Sequence, residues 1–349
     1  MRSKKGVRAA ALIGVCMLAL TGCARSDAKS AYEKGCEALK RQETDSAMTY
    51  FNGVVQAGYY LPEAYRALGL IYLGESDYAD ACVSFEKSLN EVDGESDSFI
   101  RDVSLYLAFA RDLKGEPDQA MTIYDGLIRK SPDAEVLFLR GRLHLRNGEA
   151  DAAKADFDQA VSLSSDYDLY INIYEVYASE EKSGDGSDYL EKALAEAQKQ
   201  QDAFYEQGLV NYYLENYDDA KQELTDAIKK DGSDMKPIFL LGKVYLATGD
   251  VANARAVYKQ YTGTDGAAAD AWNGLALCDM AEQKYDDALT DVENGLKADS
   301  SNQGLRYNEI VILEEKRQWA DARAKAASYV ASFPTDEAGL REYEFLSTR

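Results

Sequence analysis

The stretch Pro62–Asp97 reads PEAYRALGLIYLGESDYADACVSFEKSLNEVDGESD, and its pattern decides the fold. Tyr65, Leu68 and Tyr72 are spaced by three and four residues, which puts them on one face of a helix. Gly69 lies beside that face, where a side chain would hold another helix away. Ala81, Phe85, Ser88 and Leu89 form a second face of the same kind. Two short amphipathic helices facing each other follow, because neither can bury its apolar stripe alone.

The unit recurs. Asp77-Tyr78-Ala79-Asp80-Ala81 returns as Asn216-Tyr217-Asp218-Asp219-Ala220, as Lys284-Tyr285-Asp286-Asp287-Ala288 and as Gln318-Trp319-Ala320-Asp321-Ala322. From Ala220 to Ala254, Ala288 and Ala322 each step is 34 residues. Backwards from Ala220 the slot holds Gly186, Ala153, Ala120, Ala81 and Ala47, with steps of 34, 33, 33, 39 and 34. The long step falls at Glu91–Ser98, an acidic insertion with Gly and Ser that reads as a loop. A fixed period of this length marks a repeat architecture. Twelve residues before the slot stand Gly35, Gly69, Gly141, Gly208 and Gly242; four after it stand Phe51, Phe85, Phe157, Leu224 and Tyr258. A small residue lets two helices approach, and the large one fills the space between them.

These columns resemble the tetratricopeptide repeat. That family's pattern is matched at Tyr65, Leu68, Gly69, Tyr72, Ala81 and Phe85, and again at Trp272, Leu275 and Ala288. Nine units begin near residues 28, 62, 101, 134, 167, 201, 235, 269 and 303. The resemblance implies an all-α, right-handed superhelical solenoid of about nine helix-turn-helix repeats over residues 31–334. A capping helix over 335–349 is expected to cover its open end. Stability should then be a matter of neighbouring repeats. The repeat at 167–200 departs most, with Tyr174 in the Gly column and Gly186 in the Ala slot. Its helices are expected to pack loosely or offset, which makes it a candidate hinge.

Residues 1–22 read as a secretory leader: Arg2, Lys4, Lys5 and Arg8, then an apolar run from Ala9 to Leu20 that is too short to span a bilayer. Leu20-Thr21-Gly22-Cys23 resembles the bacterial lipobox. That resemblance implies a diacylglyceryl group on the Cys23 sulfur, a lipidated tether over 23–30, and an exported lipoprotein held at the cell-envelope membrane on its extracytoplasmic side. More than one acyl chain makes such attachment stable.

Formal net charge is −22, and removing the four basic leader residues takes it to −26. A surface of that sign repels nucleic-acid phosphates and anionic headgroups, so no nucleic acid is expected as partner. Beyond the leader and Cys23, three cysteines remain: Cys36, Cys82 and Cys278. They have neither CxxC nor metal-type spacing and read as small packing residues rather than a redox site. His144, the one histidine, stands in the column of Tyr72 and Tyr245 and reads as packing. Asp185-Gly186-Ser187-Asp188 lacks the order of a calcium loop. No phosphate loop, nucleophile elbow or metal cluster is visible. The expectation is therefore no enzyme, no cofactor and no metal.

What remains is surface. By the same resemblance, the first helix of each repeat lines a concave groove, and the fifth position of each unit points into it: Tyr32, Arg66, Leu105, Phe138, Ile171, Tyr205, Phe239, Asn273 and Tyr307. Leu209, Tyr212, Tyr213, Lys243 and Leu246 extend that face in the sixth and seventh repeats. Tyr205, Tyr212 and Phe239 are then either anchors for a partner peptide or packing between neighbouring helices. Two functions stay open: a lipid-anchored scaffold that binds a protein or peptide partner and assists assembly of an envelope complex, and a surface lipoprotein that captures a solute or glycan. A single short insertion, with Trp272 and Trp319 both in repeat columns, favours the scaffold.

Overall fold

The computed structural model describes residues 24–348, except 42, 93, 165, 181 and 182. The leader 1–22 and the lipid-attachment residue Cys23 therefore lie outside the described residues. The described residues hold helices and no strands.

Among the described residues nine helix pairs follow one another, and a further helix comes after them. The pairs are α1 (24–40) with α2 (Thr44–Ala57), α3 (Leu61–Gly74) with α4 (Tyr78–Asn90), and α5 (Asp97–Leu113) with α6 (Pro117–Lys130). Next come α7 (Ala134–Arg146) with α8 (Ala150–Leu163), α9 (Tyr167–Ser179) with α10 (Ser183–Ala197), and α11 (Phe204–Tyr213) with α12 (Tyr217–Lys230). The last are α13 (Met235–Ala247) with α14 (Val251–Lys259), α15 (Ala268–Ala281) with α16 (Tyr285–Ala298), and α17 (Gln303–Glu315) with α18 (Trp319–Ser332); α19 spans Glu337–Ser347. No helix among the described residues is long and apolar enough to cross a membrane.

The small and large columns meet inside the pair wherever the small residue is glycine. A Cβ added at Gly35 would lie 2.7 Å from the Phe51 ring, at Gly69 2.5 Å from Phe85, and at Gly141 2.7 Å from Phe157. At Gly242 it would lie 2.4 Å from Tyr258. The Ala slot is closed: Ala47, Ala81, Ala153, Ala220 and Ala288 are fully buried.

The turn between the two helices also repeats. Ser76, Gly115, Gly148, Glu215, Gly249, Gln283 and Arg317, each five residues before the Ala slot, have φ between 58° and 85°. The next residue's N–H reaches back five residues, as from Asp77 to the Tyr72 carbonyl at 2.8 Å and from Asp250 to the Tyr245 carbonyl at 2.7 Å. This left-handed cap satisfies the last carbonyls of the first helix and turns the chain into the second. Alanine should therefore have opposite effects at two glycines. Gly249→Ala puts a Cβ on a left-handed residue and should cost about 1 kcal/mol. Gly53→Ala, mid-helix with nothing within 4 Å of the new Cβ, should gain about 0.5–1 kcal/mol. Urea titration of the two variants checks the signs.

Three expectations are corrected. Residues 24–30 are helical, not a tether, and Ala28 is buried; the apolar spacing of α1 extends to it. The fifth repeat is not loose. A Cβ on Gly186 would come within 2.8 Å of Tyr177 Cβ and 3.1 Å of Tyr174 Cα, so the small residue has moved to the second helix and the large one to the first. Tyr177 and Tyr189 stack at 6.0 Å there, both almost fully buried. Nor is packing confined to neighbouring repeats.

The described chain divides into two compact units: residues up to Ile123 with Ala327–Arg341, and Tyr124–Ala326 with the residues from Glu342 on. Within the first unit Gly74, at the end of α3, lies against 330–331; a Cβ there would be 2.8 Å from Ala331 Cα and 2.9 Å from the Val330 carbonyl oxygen. Asp336 begins α19 by accepting the Gly339 N–H and the Tyr329 hydroxyl, each at 2.9 Å.

Candidate partner-binding face

The residues expected on the groove face of the sixth and seventh repeats lie on α11 and α13. Tyr205, Leu209, Tyr212, Tyr213, Phe239 and Leu246 are all half-buried, and Lys243 is exposed. They do not form one cluster. Tyr205, Leu209 and Tyr212 rest on the core of Leu224, Leu240, Leu241 and Val244. Leu209 and Tyr213 also close the core around Tyr177, Leu190 and Val210. Phe239 and Leu246 belong to a third core with Tyr258, Leu275 and Cys278.

Tyr212, Tyr213 and Phe239 are each seated by another ring. Tyr212 and Tyr213 meet edge to face at 5.5 Å, and Tyr213 meets Tyr174 in the same manner at 6.4 Å. Phe239 stacks on Tyr258 at 6.1 Å and takes the edge of Tyr261 at 5.9 Å. The Tyr258 hydroxyl donates to the Phe239 carbonyl at 3.2 Å. Rings held this way have little rotamer freedom left to lose on contact with a partner.

Burial pushes the phenols of Tyr205, Tyr212 and Tyr213 up from their ordinary range; nearby Asp168 adds to the effect at Tyr205, and Glu175 at Tyr213. All three are neutral hydrogen-bonding groups at neutral pH.

The rest of the fifth-position column is not a continuous binding strip. Ile171 is buried and offers nothing to a ligand, contrary to the expectation from sequence. Phe138 lies against Phe157 at 6.0 Å and Tyr32 against Phe51 at 5.5 Å, so these rings serve their own repeat. Arg66 is ion-paired to Asp102 at 2.6 Å with its guanidinium over the Phe99 and Tyr106 rings. Asn273 accepts from Asn308 at 2.7 Å.

The remaining candidates behave as packing. His144 sits with Nδ1 2.5 Å from Glu149 and Nε2 3.8 Å from Asp156. Asp156 is buried and takes two hydrogen bonds from Arg140, at 2.8 and 2.6 Å. Cys36, Cys82 and Cys278 are free thiols. Burial raises Cys82, and raises Cys278 to about 11, which leaves little thiolate at neutral pH.

Tyr258, the large residue of the seventh repeat, fills the space over a second glycine that its column does not contain: a Cβ at Gly274 would lie 2.3 Å from its ring, as one at Gly242 would lie 2.4 Å from it. The available signal was the extra glycine of the eighth repeat, sixteen residues after Tyr258.

The profile of a family described as tetratricopeptide repeat matches residues 114–168, 239–278 and 279–337. The chain carries tetratricopeptide repeats. Among solved structures, it is similar to a tetratricopeptide repeat protein of Parabacteroides merdae, at 13% identity over 82% of this chain and 98% of that one, with a TM-score of 0.39. It is also similar to TTC0263, a tetratricopeptide repeat protein of Thermus thermophilus, at 14% identity over 62% of this chain and 100% of that one, with a TM-score of 0.40. YrrB, described as a tetratricopeptide repeat protein with an unusual peptide-binding site, is similar at 20% identity over 54% of this chain and 97% of that one, with a TM-score of 0.33. Nothing among curated proteins matches the sequence. A tetratricopeptide repeat fold is that of a protein-interaction scaffold.

Proposed function

We propose that this tetratricopeptide repeat protein is a lipid-anchored scaffold on the extracytoplasmic side of the envelope membrane, and that it holds an extended or helical segment of a protein partner. The contact residues would be Tyr205, Leu209, Tyr212, Tyr213, Phe239, Lys243 and Leu246. The observation that carries this is the seating of the α11 and α13 rings: each is fixed on one side by a packed core and is only half-buried. Rigid aromatic surface of this kind loses little entropy on binding and dominates recognition energetics where it occurs. Lys243, exposed beside it, would meet an acidic group on the partner. The lipid on Cys23 and its leader would supply attachment.

A photoreactive amino acid placed at Tyr212 tests the face, with a second one at the exposed Glu215 as control. Adducts are expected from position 212 and not from 215, and they should disappear when Tyr205 and Phe239 are both changed to Ala. Equal adducts from both positions, or adducts indifferent to the double change while helicity is intact, would reject the face. Anchoring is checked separately: Cys23→Ser should abolish incorporation of labelled fatty acid and move the protein from the membrane to the soluble fraction.

A further inference from the structure

The second helices are 13 to 15 residues long, with one exception. The exception is α14, which has nine. After it the chain turns through 260–267, with Gly266 at φ 75°. The missing turn of helix leaves an open cleft of about 550 Å³ between α14 and α16, floored by α15. Its volume is in the range of small-molecule sites. Lys259 lines one wall; Asp287 and Asp291, four residues apart, line the other; Trp272, Leu275 and Asp279, spaced by three and four, line the floor.

Most charges around this cleft satisfy each other. Arg255 donates to Asp279 at 2.7 Å and to Glu282 at 2.6 Å, and Lys284 donates to Glu282 at 2.9 Å. Lys259, Asp287 and Asp291 have no ion partner within 4 Å among the described residues. Asp291 instead meets the carboxyl of Asp279. Burial and that contact raise Asp291 from 3.8 to about 7, with Asp287 adding to the rise and Arg255 opposing it. The cleft thus presents one ammonium without a partner on one wall and carboxylates short of a cation on the other.

We propose that this cleft binds an α-amino acid with an apolar side chain, its ammonium on Asp291 beside Asp279, its carboxylate on Lys259 and its side chain over Trp272 and Leu275. A simple anion would meet the three carboxylates, and a simple amine would meet Lys259. A zwitterion satisfies both walls, and the indole and Leu275 supply the apolar contact that gives such sites most of their affinity. The site is built on α14, α15 and α16, and none of its lining residues belongs to the face on α11 and α13, although Leu275 shares a core with Phe239 and Leu246.

The ligand's ammonium takes the place of the proton on Asp291. Binding should therefore release a proton, and affinity should rise with pH. The groups facing Asp291 are Asp279 and Glu282 from the α15 side, Arg255 and Lys259 from α14, and Lys284 and Asp287 on its own side. Calorimetry on the full chain with L-leucine, L-leucine methyl ester and N-acetyl-L-leucine tests the assignment. Leucine is expected to give saturable heat, with affinity rising about tenfold from about pH 6 to about pH 8 as one proton leaves. The ester, lacking the carboxylate, and the acetyl derivative, lacking the ammonium, should each bind at least about tenfold more weakly, the loss of one charged contact. Asp291→Asn should abolish the pH dependence, and Lys259→Met, at an exposed position, should abolish the preference for leucine over its ester with the helical signal unchanged. No saturable heat with leucine, or equal binding of all three compounds, would overturn the proposal.

Discussion

Phe157→Ala should destabilise the second unit by about 3–5 kcal/mol, the cost of deleting a fully buried ring whose walls cannot close in. Phe157 has no exposed surface. Its ring lies 5.6 Å from Tyr177, 6.0 Å from Phe138 and 6.2 Å from Tyr189, centroid to centroid. It also covers Gly141, where a Cβ would come within 2.7 Å of it. Collapse would require three other aromatic rings and a helix backbone to move together, so most of the void would remain. Both tryptophans, Trp272 and Trp319, belong to the same unit. Tryptophan fluorescence during urea unfolding therefore reads the effect directly. A midpoint equal to that of the parent chain would show that the rings are not packed as described.

Ending the chain after Ala326 should produce the other large effect, and in a different place. The lost segment supplies Tyr329, Val330 and Leu340, all buried within the first unit. At about 1.5–3 kcal/mol for each large buried side chain, its removal should cost more than about 5 kcal/mol there. Gly74→Leu is the milder form of the same experiment. Its Cβ would press on the backbone of Val330 and Ala331, which cannot give way as a flexible side chain can, and overpacking of this kind costs about 1–3 kcal/mol. Hydrogen exchange should show protection falling in α3 for both variants. Unchanged protection in α3 would mean that 327–341 contributes nothing to it.

The period, the helix pairs and the close contacts inside them were legible because they depend on residues 16 apart, as Gly69 is from Phe85. Such a contact recurs at the same offset in five of the repeats and shows up as a column. The fifth repeat keeps a close contact but exchanges the partners, so its columns look weak although Gly186 packs tightly on Tyr177. The left-handed turn residue was hidden for another reason. Ser76, Glu215, Gln283 and Arg317 adopt it without being glycine, since the five-residue hydrogen bond and the packed helices on both sides outweigh the local cost. The approach of 330–331 to Gly74 has no periodic signature at all. On the candidate face, aromatic columns could be read but not how each ring is bedded, which is why Ile171 was placed with Tyr205 and Phe239 although it is closed to any ligand.

The make-up of the first unit bears on how the chain is made. Ribosomes deliver residues in order, so the segment that completes the first unit emerges only after Tyr124–Ala326 has been made. Until Ala327–Arg341 arrives, that unit's repeats wait unfinished, and a product cut short by a premature stop would never complete them. Proteases that survey newly made chains would find their opening at the beginning of such a product, far from the point of the break.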